Sequence, residues 1–320
     1  MKKYRLFFIP LIFLLFFSCD RKVEESLPLH NKRVLIIGNS ITQNGKYVDF
    51  LEYYLRKNYP EESLDMISIG LSSETVSGDS EVGHPFPRPC IHARLKEALD
   101  KIKPEVVMAC YGMNDAIFSE KDSTRFSNYK KGIYNLKTIV EKYGARLMLL
   151  TPTPFDKYAA KDRLSKEGEA QSYKQPYYNY NRVLQDYANW LLTLKDNTVI
   201  NLHEYLNNEL TEIKKIKEDS TFIPDAVHPN TKGHFFMAKK IIKDLYPHIK
   251  IGDEITELNQ LEKNVLFTIV QKRRKIRSKG WREFVGYTRE KTVKSNHIDS
   301  TKQKVAVLDK RIQNILKKSF

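Results

Sequence analysis

Short apolar runs separated by longer helical patterns constrain this chain more than any other feature. Arg33–Ile37 (RVLII), Leu64–Ile69 (LDMISI), Val106–Tyr111 (VVMACY), Arg146–Leu150 (RLMLL) and Thr198–Leu202 (TVINL) are rich in branched apolar residues. Runs of this kind form strands buried on both faces. Between them, residues 46–58, 91–102, 127–143 and 176–194 carry apolar side chains at three- and four-residue steps, as in Leu95, Leu99 and Ile102. Residues 231–246 form a closing helix. Strands alternating with helices predict an α/β chain, a five-stranded parallel sheet in a three-layer αβα arrangement. With 41% hydrophobic and 11% aromatic residues over 320 positions, one good core is affordable and a disordered chain is excluded. Only three Cys are present, which excludes a disulfide scaffold or a Cys-based zinc module.

The two ends depart from this pattern. Residues 255–277 and 303–318 repeat apolar positions at helical spacing and predict two amphipathic helices. An aromatic segment with Trp281, Phe284 and Tyr287 joins them. Residues 32–250 therefore read as the main domain and 251–320 as a basic helical extension. That extension holds 17 basic and 8 acidic residues, most of the net charge of +15. The Lys272–Lys275 cluster within it reads as a solvated helix face, or as attraction to anionic lipid or polysaccharide.

At the other end, Met1–Arg5 is positively charged, and residues 6–17 (LFFIPLIFLLFF) are uninterruptedly apolar. Twelve residues are too few to span a bilayer and read as a signal segment. The run stops at Ser18-Cys19, which resembles a bacterial lipobox with Cys19 as the lipidated residue. The expectation is an exported chain in the cell envelope, with residues 1–19 as signal and lipidated Cys, 20–31 as tether, and the membrane reached through the lipid. Export weighs against nucleic acid as a partner. Cys90 and Cys110 then lie in an oxidising compartment. They are read as two separate thiols more than as a pair.

Four segments carry chemistry. Gly38-Asn39-Ser40-Ile41-Thr42 follows the first strand, and Ser68-Ile69-Gly70-Leu71-Ser72-Ser73-Glu74 follows the second. Tyr111-Gly112-Met113-Asn114-Asp115 follows the third, and Asp225-Ala226-Val227-His228-Pro229-Asn230 precedes the closing helix. In a flavodoxin-like arrangement these edges meet at the carboxyl end of the sheet, where open α/β folds bind ligands. Their order and strand-end placement, over residues 32–248, resemble the SGNH (GDSL-type) hydrolase family.

That resemblance implies Ser40 as nucleophile, His228 as its base and Asp225 as the acid that orients the imidazole. It implies an oxyanion hole from the Ser40 N–H, the Ser73 N–H and Asn114. Gly38, Asn39, Gly70 and Gly112 are supporting positions. Two positions depart from the family: Asn39 stands where Asp is usual, and Ser73 aligns with a Gly. His84 and Arg88, in a Pro-rich loop, are candidate substrate contacts. No cofactor is implied, and Cys90 with His92 are too few for a metal site. Ester hydrolysis through an acyl-enzyme is the expected reaction, with an acylated carbohydrate as the expected substrate. A lipid or lysophospholipid acylhydrolase or acyltransferase is the enzymatic alternative. A surface-binding lipoprotein that retained the fold is the non-enzymatic one.

Overall fold

The computed structural model describes residues 27–289, 291–292 and 297–318. The signal segment, Cys19 and residues 20–26 of the expected tether lie outside the described residues, whereas Leu29 and His30 at its end are buried against Tyr246 and belong to the folded body. Five strands form the sheet: β1 (Arg33–Gly38), β2 (Asp65–Ser68), β3 (Val106–Cys110), β4 (Arg146–Leu150) and β5 (Thr198–Ile200). All pair in parallel, in the order β2-β1-β3-β4-β5. This is the flavodoxin-like doubly wound order, with its switch point between β1 and β3.

Alternation along the strands divides their side chains between two cores. Val34, Ile36, Met108 and Met148 pack on one face, and Leu35, Ile37, Val107 and Leu147 on the other. Helices α1 (Ser40–Asn44), α2 (Lys46–Asn58), α6 (Leu202–Ile216) and α7 (Thr231–Leu245) belong to the first face. Helices α3 (Leu95–Ile102), α4 (Ser123–Lys142) and α5 (Tyr180–Leu191) cover the second.

The structure departs from the expected elements where a polar side chain resets a boundary. Thr198–Leu202 is not one strand: β5 stops at Ile200 because Asn201 begins α6. The Asn201 side chain accepts from the Glu204 N–H at 3.2 Å and donates to the Glu204 carboxylate at 2.7 Å, a reciprocal cap. Asp122 caps α4 by accepting from the Arg125 N–H, so that helix starts at Ser123 rather than at 127. The expected helix over 91–102 divides at Arg94 into a 3₁₀ turn and α3.

Beyond residue 250 lie α8 (Glu254–Glu262), α9 (Val265–Val285) and α10 (Ile298–Leu316). Trp281 and Phe284 sit on α9 itself rather than in a connecting segment. Helix α9 packs against α2 and β2, and α10 packs on α9 through Val305, Leu308 and Ile312. The Lys272–Lys275 cluster is solvated only in part: Lys272 and Lys275 are exposed, but its two arginines are not. Arg273 and Arg274 are 3% and 4% exposed. Arg274 grips Asp49 of α2 with two bonds of 2.6 and 2.8 Å, and Arg273 reaches Glu52 at 2.7 Å. Asp49 and Glu52 are fully buried, so the α2 face beneath α9 requires those cations. Cys90 and Cys110 are free thiols.

Candidate active site

The site begins with close packing of backbone at the carboxyl edge. Ser40 opens α1 immediately after β1, and the Asn39 side chain accepts from the Ile41 N–H at 3.0 Å. Asn at this position therefore keeps the capping role that a carboxylate would perform. The loop after β2 lies directly on α1. A Cβ on Gly70 would come within 2.4 Å of the Thr42 and Gln43 backbone, so no larger residue fits. A Cβ on Gly38 would likewise lie 2.5 Å from the Thr42 hydroxyl, and Gly112 turns with φ +126° against Pro152.

Ser40 and His228, separated by 188 positions, meet at this edge. The Ser40 Oγ lies 2.8 Å from His228 Nε2, and His228 Nδ1 lies 2.6 Å from Asp225 Oδ2. The other carboxylate oxygen, Oδ1, accepts from the Val227 and His228 backbone N–H groups at 3.0 and 2.7 Å. Partial burial opposes ionisation of Asp225. The His228 ring and these backbone donors outweigh it and hold Asp225 well below the usual carboxylate range. Arg163 donates to the Asp225 carbonyl and, at 2.9 Å, to that of Tyr173, tying the histidine loop to its neighbour.

Two further loops complete the edge. Asn114 is buried and donates one amide hydrogen to the Glu74 carbonyl at 3.1 Å, leaving the second for the cleft. Asp115 is fully buried and accepts from Val76, Ser77 and Gly112 N–H groups at 2.8 to 2.9 Å. Burial pushes its pKa up, and the three backbone bonds oppose that rise. The Glu74 carboxylate accepts from Arg94 Nε and Nη2, at 2.6 and 2.8 Å, and from the Tyr111 hydroxyl at 2.7 Å. Gln43 accepts from the Ser72 N–H at 2.6 Å. Between these clamps Ser73 holds φ +66°. A side chain in this left-handed region costs roughly 1–2 kcal/mol.

Ser40, Ser73, Asn114, Asp225 and His228 line one cleft of about 360 Å³. His84, Phe86, Phe118, Arg163 and Tyr173 complete much of its wall. His84 packs on Phe86 and Tyr173, with ring centroids at 4.7 and 5.2 Å. Arg88, the other candidate substrate contact, also lines the cleft, with its guanidinium already paired. It is 6% exposed, and its Nε and Nη2 both bond Glu81 at 2.5 Å.

Glu74, Arg94, Gln43 and Arg163 were not singled out from the sequence, because their partners are remote in the chain. Phe118 leaves no more of a sequence signal than they do. The Asp115 role had a visible cue in its place beside Asn114. Among the described residues, no group of three or more His, Cys, Asp or Glu is arranged to hold a metal ion.

The parallel sheet and the four loops at its carboxyl edge define an SGNH-type α/β hydrolase. Residues 36–235 match the GDSL-like lipase/acylhydrolase family, and the chain belongs to that family of ester-hydrolysing enzymes. Its fold is similar to that of a catalytic mutant of Axe2, an acetylxylan esterase from Geobacillus stearothermophilus. Identity is 17%, the TM-score is 0.51, and the match covers 71% of this chain and 100% of that one. A second Axe2 mutant from Geobacillus, described as an acetyl-xylooligosaccharide esterase, matches at 18% identity and a TM-score of 0.51, covering 70% and 99%. A gut microbial diltiazem-metabolizing enzyme matches at 17% and 0.51, covering 67% of this chain and 46% of that one. The chain thus spans under half the length of that enzyme. At these identities the likeness is one of fold. No curated protein sequence matches the chain.

Proposed function

We propose that this enzyme is a carbohydrate O-acetylesterase that works through an acyl-enzyme on Ser40. The observation that carries the reading is the line of hydrogen bonds from Ser40 Oγ to His228 at 2.8 Å and on to Asp225 at 2.6 Å, opening into the cleft. His228 takes the hydroxyl proton on Nε2 as Ser40 Oγ bonds to the ester carbonyl carbon. The carbonyl π electrons move onto oxygen, which accepts from the Ser40 and Ser73 N–H groups and from Asn114. The oxygen then re-forms its double bond, the C–O bond to the alcohol breaks, and His228 returns the proton to that alcohol. Water, with His228 again as base, releases acetate and restores Ser40. Throughout, the ionised Asp225 accepts from Nδ1–H and stabilises the imidazolium.

The cleft wall supports a sugar over a lipid chain. It mixes Ser72, His84, Asn114 and Arg163 with the rings of Phe86, Phe118 and Tyr173 and with Pro85 and Val227, a blend of polar groups and stacking faces. The acetylxylan esterases of similar fold agree with this choice. The test is turnover on acetylated xylo-oligosaccharides and other acetylated glycans, beside p-nitrophenyl acetate, butyrate and palmitate. We expect kcat/KM to fall with each longer acyl chain and Ser40→Ala to abolish all turnover. A preference for palmitate would replace the sugar reading with a lipid acylhydrolase.

We also infer export and anchoring through Cys19. The basic Met1–Arg5, the apolar run over 6–17 and the Ser18-Cys19 junction support this. Cys19→Ala is expected to shift the protein from the membrane fraction to the soluble fraction. Equal membrane association of both forms would contradict it.

A further inference from the structure

Ser73 occupies the third position of a tight turn, Leu71 to Glu74, closed by the Glu74 N–H on the Leu71 carbonyl at 3.1 Å. A φ of +66° there ordinarily selects Gly or Asn. The turn cannot relax, because both of its shoulders are fixed. The Ser72 N–H is held by Gln43 at 2.6 Å. Glu74 is held through its carbonyl by Asn114 and through its carboxylate by Arg94 and Tyr111. Such over-determined conformations persist at sites where they serve a purpose.

The side chain that bears this penalty has no structural return. Among the described residues nothing accepts from or donates to the Ser73 hydroxyl, and the residue does not belong to either apolar core. It is half-buried on the wall of the cleft, together with Ser40, Asn114 and His228. In a gauche rotamer its Oγ lies on the same side as its own backbone N–H, so one acceptor oxygen can receive both.

We propose that the Ser73 hydroxyl is a catalytic residue, a donor to the carbonyl oxygen as that oxygen becomes an oxyanion. It adds a side-chain hydrogen bond to the one from the Ser73 N–H. No proton changes hands: the hydroxyl keeps its hydrogen and the negative charge stays on the substrate oxygen. The inference rests on the ester-hydrolysis reading of Ser40.

Ser73→Gly and Ser73→Ala separate the hydroxyl from the backbone, since both keep the N–H and only the first removes the strain. On p-nitrophenyl acetate, both are expected to lose about tenfold or more in kcat, with KM within about threefold of the wild type. Ser73→Gly is expected to melt at the wild-type temperature or higher, which excludes misfolding as the cause. Wild-type kcat in Ser73→Gly, with Ser40→Ala inactive, would overturn this proposal alone. A loss in Ser73→Ala without one in Ser73→Gly would overturn it too, because activity would then not require the hydroxyl. Turnover that survives Ser40→Ala would instead remove the reading on which the proposal stands.

Discussion

Asp225 uses its two oxygens differently. One accepts from the imidazole, and the other accepts two backbone N–H groups of the same loop. Asp225→Asn leaves an acceptor for the backbone but places a donor against Nδ1–H, which forces the wrong tautomer. We expect kcat to fall about 10⁴-fold on p-nitrophenyl acetate with only a small change in melting temperature. A loss below about tenfold would remove Asp225 from the mechanism. Because Asp225 is held below the ordinary carboxylate range, its contribution to folding is present above roughly pH 4 and fades only below that. At this scale Ser40, Asn114, Asp225 and His228 were legible, since each sits in a short motif at a strand or helix end. The clamps were not. Arg94 and Glu74 are 20 positions apart and Gln43 and Ser72 are 29 apart, and nothing local to either partner announces the pairing.

Among the elements, α9 is the one whose placement most alters the reading of the sequence. A Lys-Arg-Arg-Lys run resembles a solvated stripe, yet Arg273 and Arg274 are buried on α2. The missed cue was on α2 itself, where Tyr47, Val48, Phe50, Leu51, Tyr53, Tyr54 and Leu55 leave no polar side to face water. A helix apolar nearly all round is covered on both sides, and its Asp49 and Glu52 then need buried cations. Arg274→Met leaves Asp49 as an unpaired buried charge and is expected to cost about 3–5 kcal/mol in urea unfolding. Replacing both partners, as in Asp49→Leu with Arg274→Met, is expected to recover most of that loss. Equal destabilisation by the single and double variants would show that packing, rather than charge, holds the helices together. The unforeseen α6 had its own signal in Asn201 and Glu204, a cap pattern hidden by the apolar run just before it.

Over the whole molecule, the basic excess beyond residue 250 is partly consumed by carboxylates. Arg273, Arg274 and Arg277 pair with Glu52, Asp49 and Asp65 of the αβα body and with Asp309 of α10. The extension and the αβα body therefore share one electrostatic account, which composition by segment could not reveal. The same body buries three neutral histidines. Burial lowers His30 and His203 to about 4. His234, which accepts from the Tyr47 N–H, is lowered to about 3 by burial and by nearby Lys46 and Arg274. In the unfolded chain these rings take up protons near pH 6.5, so stability is full above that value and declines as the pH falls toward 4. Each unit of that gap is worth on the order of 1.4 kcal/mol. Calorimetry from pH 8 to 4 is expected to show a melting temperature that drops below pH 6.5, with a shallower drop in His234→Gln. A flat profile would contradict the neutral, buried state assigned to these rings.

The claim on which the function depends is that the Ser40 hydroxyl is made nucleophilic by His228. Fluorophosphonate labelling followed by intact mass and peptide mapping tests it most directly. We predict a single adduct, located on Ser40, that is lost in Ser40→Ala and slowed by at least about 10³-fold in His228→Ala. An unlabelled wild type, or labelling that persists unchanged in Ser40→Ala, would contradict the account.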